Sequence, residues 1–357
     1  MQDTSTPALS QRQQHVLVGV LIVFVLAVIG LAYVKWLPYY HKAHLAAATG
    51  KLGKSILTGG AATPPAPSLH AALDYARTYF LAVWQALVLG LLLAASIQTF
   101  LPVDLVTRWI GRACARSTLL GGVFALPGMM CSCCVSPVVV GLRRQGASIG
   151  SAVAFFLGNP TLNPAVLVFL VFTLGWQWAL LRLVLGILLV FGGAALAERL
   201  AGPTLVPQAI ANASRPSVAE HGNWLRRWVG NLTRLVVQLL PEYLIVVFLM
   251  GLARAWLFPS AGPQLGNSLL VIIALAVVGT LFVIPTAGEI PIIQTMLAFG
   301  VGAGPAGALL LTLAPLNLAS LLMVSQALPW RVLAALTLLT IGMGILAGLL
   351  AIALPLR

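Results

Sequence analysis

Uncharged apolar runs dominate the chain, and their lengths define its elements. About 20 apolar residues cross the ~30 Å hydrocarbon core of a bilayer. Val16–Val34, Phe80–Leu101 and Val332–Leu356 each read as one span, and Leu235–Phe258 as another that holds Glu242. Thr118–Leu142 is uncharged but contains Pro127 and Pro137, which predicts a re-entrant hairpin of two half-length helices. Ala147–Leu181 is too long for one helix, and Gly175-Trp176-Gln177-Trp178 predicts an interfacial turn in it. A further span then runs to about Ala197, while Ala255–Gly288 and Ile290–Trp330 are again too long for single helices. No cleavage pattern follows the first span and its leading segment is not basic, so it reads as a retained anchor.

Two polar segments divide these runs. Residues 36–78 read as a loop with Pro64, Pro65 and Pro67, and residues 198–234 as a linker with Arg199, Arg215, Arg226, Arg227 and Arg234. The resulting units are an anchor and loop (1–78), a first membrane repeat (79–197), the linker (198–234) and a second repeat (235–357). The repeat is legible in residues: Phe124, Pro127, Gly146 and Asn159 recur at an offset of 158 as Phe282, Pro285, Gly304 and Asn317. Leu101-Pro102 likewise matches Phe258-Pro259. Arg108, Arg112, Arg116, Arg143 and Arg144 fall on the side of the linker, and the excess of basic residues marks that side as cytoplasmic. The loop with Lys42, Lys51 and Lys54 falls on the other side, against that bias. An odd number of crossings per half places the second repeat upside down, the architecture of many secondary transporters.

Composition agrees with this pattern and excludes other classes. The chain has 357 residues, 60% hydrophobic and 8% charged, and its mean hydropathy is +1.01. Soluble domains carry about 25% charged residues, so a cytosolic enzyme and a disordered chain are both excluded. A β-barrel would alternate instead of running continuously apolar. The net charge of +13 fits basic cytoplasmic loops and does not imply nucleic acid. The four cysteines are too few for a disulfide scaffold. The fold expected is an all-α polytopic membrane protein with two inverted repeats, re-entrant hairpins and broken helices.

Non-helical backbone at membrane depth is tolerated only where it is buried in protein or lines a wet cavity. Four segments qualify: Pro127–Pro137, Gly158–Pro164, Pro285–Pro291 and Ala314–Asn317. Asn159 lies about 18 Å along a helix begun at Ala147, near the midplane, and Asn317 is similarly placed after Gly304. The four breaks therefore predict one central site. Candidate substrate contacts are Cys131, Ser132, Cys133, Cys134, Asn159, Asn163 and Asn317; the asparagines also suit half-helix caps. Soft thiolates suit thiophilic centres, with Cys131 and Cys133 as the candidate metal ligands, although Cys is also a small packing residue. Glu289, matching Cys131 in the repeat, is an intramembrane carboxylate and a candidate for proton coupling, as is Glu242. Arg182 and Arg254 lie near outer ends and read as snorkelling, Cys114 as a packing residue, and His41 and His44 as part of a solvated loop.

Pro127, Cys131-Ser132-Cys133, Pro137, the run Gly141-Leu142-Arg143-Arg144-Gln145-Gly146-Ala147-Ser148, and Asn159-Pro160 with Asn163-Pro164 follow one another within about 40 residues. This order resembles the predicted permeases that include the organoarsenical efflux permease ArsP. Many members carry a small residue such as Gly after Cys-Ser-Cys, where this chain has Cys134. The resemblance implies a multi-pass permease of a prokaryotic inner membrane with two related halves. A thiophilic metal, metalloid or organoarsenical is then the expected substrate and export the expected direction. The alternative is a membrane thiol-redox or metal-handling protein that uses the Cys cluster. No phosphate-binding loop and no cofactor motif is present. The expected partners are the lipid bilayer and a small-molecule or ion substrate.

Overall fold

The structure is a computed structural model that describes residues 11–59, 61, 63–201, 224–258, 262 and 265–354. Most of the 198–234 linker, Arg215 included, and Pro259 of the repeat match lie outside the described residues. Every regular element among the described residues is helical. Helix α1 (Gln11–Leu31) passes through a π-turn at Ala32–Trp36 into α2 (Leu37–Thr49). The apolar helix Leu17–Thr49 is thus 33 residues long, and the loop expected from residue 36 begins only at Gly50. Pro38 is tolerated because the π-turn has already interrupted the regular ladder. The helix ends at Gly50, whose φ of 65° is left-handed.

Two runs follow, each a long helix, two pairs and a closing long helix, with one short extra helix described in the first run only. The first is α3 (Leu69–Phe100), the short amphipathic α4 (Val103–Ile110), the pair α5 (Ala115–Ala125) and α6 (Ser132–Arg144), and the pair α7 (Ile149–Thr161) and α8 (Pro164–Thr173). It closes with α9 (Trp176–Ile187), a π-turn at Leu188–Gly192 and α10 (Gly193–Ala201). The second is α11 (Trp224–Leu257), the pair α12 (Leu269–Leu281) and α13 (Glu289–Ala298), the pair α14 (Ala303–Thr312) and α15 (Leu318–Ser325), and α16 (Trp330–Ala353). Among the described residues six helices are long and apolar enough to cross a membrane. The paired helices α5–α6 and α12–α13 have 10 to 13 residues each, about 15–20 Å, which is too short to cross.

Each hairpin closes at its base. Ser148 N–H and Ser151 Oγ donate to Ile110 O at 2.8 and 2.7 Å, so the chain re-emerges beside its entry point. In the second hairpin Gly302 N–H donates to Leu265 O and Gly304 N–H to Asn267 Oδ1, both at 3.0 Å. The first base lies beside Ala327, whose carbonyl accepts from Arg143 Nε at 3.4 Å, and beside Glu198, which accepts from Gly150 N–H. The second lies beside Thr173 and Gly50, whose carbonyls accept from Gln294 Nε2 at 3.2 and 2.8 Å. Helices α3 and α11 run antiparallel: Trp228 Nε1 reaches Ser96 Oγ at one end, and Arg254 Nη2 reaches Ala71 O at the other.

Two side-chain expectations fail here. Arg254 does not snorkel; it is buried, donates to Ala71 O and Ile56 O, and lies over the Tyr75 ring at 5.4 Å. The second lone pair of the Ala71 carbonyl and the loop carbonyl of Ile56 take the place of water on its guanidinium. Cys114 is exposed rather than packed, because it precedes α5 as its N-cap residue. A hydrogen bond with Ser117 lowers its thiol pKa from the ordinary value.

Candidate transport site at the helix breaks

The hairpin tips owe their shape to proline and to two strained residues. Pro127 and Pro285 open the turns, and Met129 and Ala287 complete them with φ of 48° and 64°. Non-glycine residues seldom take that conformation, which concentrates at functional sites. Met129 and Ala287 are themselves separated by the repeat offset of 158. The first break is narrower than the sequence suggested, since α6 begins at Ser132 and contains Pro137. Close packing holds it in place: a Cβ on Gly90 of α3 would meet Cys134 O at 2.2 Å.

A small cavity lies where the four breaks meet. It is lined by Cys131 from the first tip, Pro160 from the end of α7, Ile284–Ala287 and Glu289 from the second tip, and Leu313-Ala314 after α14. It has room for about one water molecule. Cys131 is the N-cap of α6, and its sulfur accepts from Cys134 N–H at 3.4 Å. The Cys131 and Cys134 sulfurs are 2.6 Å apart. Cys133 points elsewhere, donating to Asn317 Oδ1 at 3.2 Å and accepting from the Tyr79 hydroxyl at 3.7 Å. The thiols brought together are therefore Cys131 and Cys134, not the Cys131 and Cys133 chosen as candidate metal ligands. The reason is helical: residues three apart share a face. Among the described residues no group of three or more metal-ligating side chains converges.

The asparagines divide by role. Asn163 caps α8, accepting from Ala165 and Val166 N–H at 3.1 and 3.3 Å. Asn317 caps α15 in a reciprocal box with Ser320 and also donates to Ser132 Oγ at 2.8 Å. Asn159 is no cap; it lies inside α7, donates to Phe155 O and accepts from Met130 N–H at 3.4 Å. Asn159 and Asn317 thus both hold the first tip.

Glu289 is buried and pairs with Arg182 at 2.6 Å, with side chains 2% and 1% exposed. Arg182 is the clearest failure of the sequence reading, which left it snorkelling at an outer end. Its other donors reach Thr161 O at 3.2 Å, Pro160 O at 2.9 Å and Leu310 O at 3.3 Å. The carbonyls that the breaks at α7 and α14 release, together with Glu289, fill its donor set. Glu242 is exposed on the side of α11, away from the cavity.

Lys35, also missed, sits in the π-turn of the first helix with 6% exposure. Its Nζ donates to Tyr39 Oη at 3.3 Å and to Thr286 Oγ1 at 3.4 Å. Trp36 Nε1 donates to Pro127 O at 2.9 Å, and Tyr39 Oη to Met129 O at 3.5 Å. The first helix therefore touches both tips. The signal for it was a lone lysine at the end of a long apolar run, followed by aromatic residues at helical spacing.

A chain whose described elements are all helical, with bilayer-length helices, broken helices and a small cavity at the breaks, is a multi-pass membrane permease. Residues 118–352 match the family described as predicted permease, ArsP_1, and the chain belongs to that family. It is 46% identical over 329 residues to UPF0718 protein YraQ of Escherichia coli (strain K12), covering 92% of this chain and 93% of that protein. It is 23% identical over 307 residues to UPF0718 protein MJ0584 of Methanocaldococcus jannaschii, covering 68% of this chain and 84% of that one. No solved structure matches it.

Proposed function

We propose that the protein is a secondary transporter of the prokaryotic inner membrane that exports a small thiophilic substrate through the cavity at the helix breaks. The observation that carries this reading is the lining itself. All four breaks contribute to one cavity, with a thiol at Cys131 and a carboxylate at Glu289 on its wall. The substrate class is a thiophilic metal, metalloid or organoarsenical, met by Cys131 with Cys134 behind it. Asn159, Asn317 and Ser132 set the first tip, and Asn163 fixes the start of α8.

Two inverted repeats are the matching architecture. In support, the base of the first hairpin lies beside Ala327 and Glu198, whereas that of the second lies beside Thr173 and Gly50. Those sets are at opposite ends of α7–α8 and α9–α10, and the arginine-rich end is the cytoplasmic one by charge. Single-cysteine reporters at Gln208 and Gln264 should label from opposite sides; labelling from one side removes the inverted reading.

Coupling follows from the ion pair. A proton taken up by Glu289 would remove the charge that holds Arg182, and Arg182 joins α9 to both broken spans. The test is a knockout strain screened against metals, metalloids and organoarsenicals, then flux in everted vesicles. Cys131→Ser should abolish protection, and Glu289→Gln should leave flux that no longer responds to the proton gradient. Protection by Cys131→Ser equal to the parent would reduce the thiols to packing. The Cys131–Cys134 contact also suits a thiol-redox protein, whose activity would not depend on Glu289 or on a gradient.

A further inference from the structure

The first helix places a cation behind one wall of this cavity, on Thr286. Lys35 lies outside the segment that matches the family, residues 118–352, yet it is buried against the second tip. Among the described residues no carboxylate lies within ion-pair distance of it, because Glu289 is committed to Arg182. The charged groups around the cavity are Lys35, Arg182 and Glu289, with the Cys131 and Cys134 thiols and the Tyr39 phenol. Arg182 and Glu289 pair with each other, which leaves the Lys35 ammonium beside the Cys131 and Cys134 thiols and the Tyr39 phenol with no carboxylate. An ammonium held in a dry interior without a carboxylate partner is costly, and such a group is a functional candidate by default.

Three further features bear on what the ammonium would receive, and the second gives its sign. Tyr39 and Thr286 present hydroxyls beside the ammonium, a donor set suited to oxygen atoms. Helices α6, α8 and α15 all start at the breaks, so their positive dipole ends lie toward the centre. A π-turn, the element that carries Lys35, is frequent where a side chain is aimed for function. Cys131 and Thr286 both line the cavity.

We propose that the cavity binds a small oxyanion that bears a soft, polarisable atom, with Lys35, Tyr39 and Thr286 on its oxygens and the Cys131 thiol in non-covalent contact with the soft atom. This rests on the transport reading above and narrows its substrate class from thiophilic species in general to anionic ones. The first helix is then part of the binding site as well as an anchor. The cavity is closed around about one water's volume, so the anion enters as the tips part.

The test is binding, which is independent of transport. The purified full chain in detergent is melted in sodium thiosulfate, sulfite, sulfate or phosphate, against sodium chloride of equal ionic strength. At least one sulfur oxyanion should raise the melting temperature of the parent saturably. Its apparent affinity should fall at least tenfold in Lys35→Met, recover in Lys35→Arg, and fall in Thr286→Val. Thr286→Val keeps the charge and serves where Lys35→Met does not fold. If no probe shifts the parent, or if Lys35→Met and Thr286→Val bind as the parent does, the inference is overturned. Slowed methanethiosulfonate labelling of Cys131 in Lys35→Met, read in a Cys114→Ser background, with no anion shift in the parent, would assign Lys35 to a Cys131 thiolate instead. Counterflow of phenylarsine oxide by the parent in vesicles of phosphatidylethanolamine and phosphatidylglycerol reads the transport proposal separately. Counterflow without anion binding leaves transport standing and removes the anion.

Discussion

The two hairpin tips share a backbone and differ in what holds them. Both turn after a proline, at Pro127 and Pro285, and both pass through a left-handed non-glycine residue, at Met129 and Ala287. The first tip is held by neutral groups: Asn159 takes Met130 N–H, Asn317 donates to Ser132, and Trp36 and Tyr39 cover the carbonyls of Pro127 and Met129. The second tip is held by charge, through Arg182 on Glu289 and Lys35 on Thr286. Two turns of like backbone thus carry thiols in one case and a carboxylate in the other. The tip that bears the carboxylate is the one whose anchor depends on charge.

The largest effect should come from breaking that ionic anchor. Arg182→Met leaves Glu289 buried and unpaired and frees the carbonyls of Pro160, Thr161 and Leu310. Removing one partner of a buried pair costs roughly 3–5 kcal/mol, whereas replacing both by apolar residues is often neutral. Thermal unfolding in detergent should show a large loss for Arg182→Met and recovery of most of it in Arg182→Met with Glu289→Leu. A double variant no better than the single one would mean that the freed carbonyls, not the charge, dominate.

A middle-sized effect should come from the first tip. Asn317→Leu removes the cap on α15 and the contacts to Ser132 and Cys133 together. A lost cap costs about 1 kcal/mol and a stranded buried partner about 1–3 kcal/mol. Asn163→Leu loses a cap alone and should cost about 1 kcal/mol. Equal melting temperatures for the two variants would show that the bridge from α15 to the first tip contributes nothing.

What the sequence revealed follows from what is local. Span lengths and the four breaks are properties of short windows, so the hairpins and broken spans were legible. The partner of a charge at membrane depth is not local. Arg182 stands six residues into α9, close enough to an end to suggest snorkelling. It turns inward because two broken helices, distant in sequence, release carbonyls beside it. Lys35 was hidden by its neighbours: Pro38, His41, Lys42 and His44 read as a polar loop, yet α2 carries them as a helix. The Cys131-Ser132-Cys133 motif marks its first and third residues, whereas helical spacing brings together Cys131 and Cys134.

The smallest predicted effect is the sharpest test that the two turns are equivalent. Met129 and Ala287 hold φ of 48° and 64°, a region that costs a residue bearing a Cβ about 1 kcal/mol and costs glycine nothing. Met129→Gly and Ala287→Gly should each relieve that strain. Glycine also loses more backbone freedom on folding, by roughly 0.5–1 kcal/mol, so each net gain should fall below about 1 kcal/mol. Met129 loses a half-buried side chain packed on the core as well, and that loss offsets more of its gain than at Ala287. The expected order in thermal unfolding is therefore Ala287→Gly slightly stabilised and Met129→Gly near the parent, with Met129→Asn, which tolerates the left-handed region, close behind. A clear destabilisation by Ala287→Gly would mean that the second tip does not hold the strained turn, and the equivalence of the two hairpins would fail at the residue where it is most exacting.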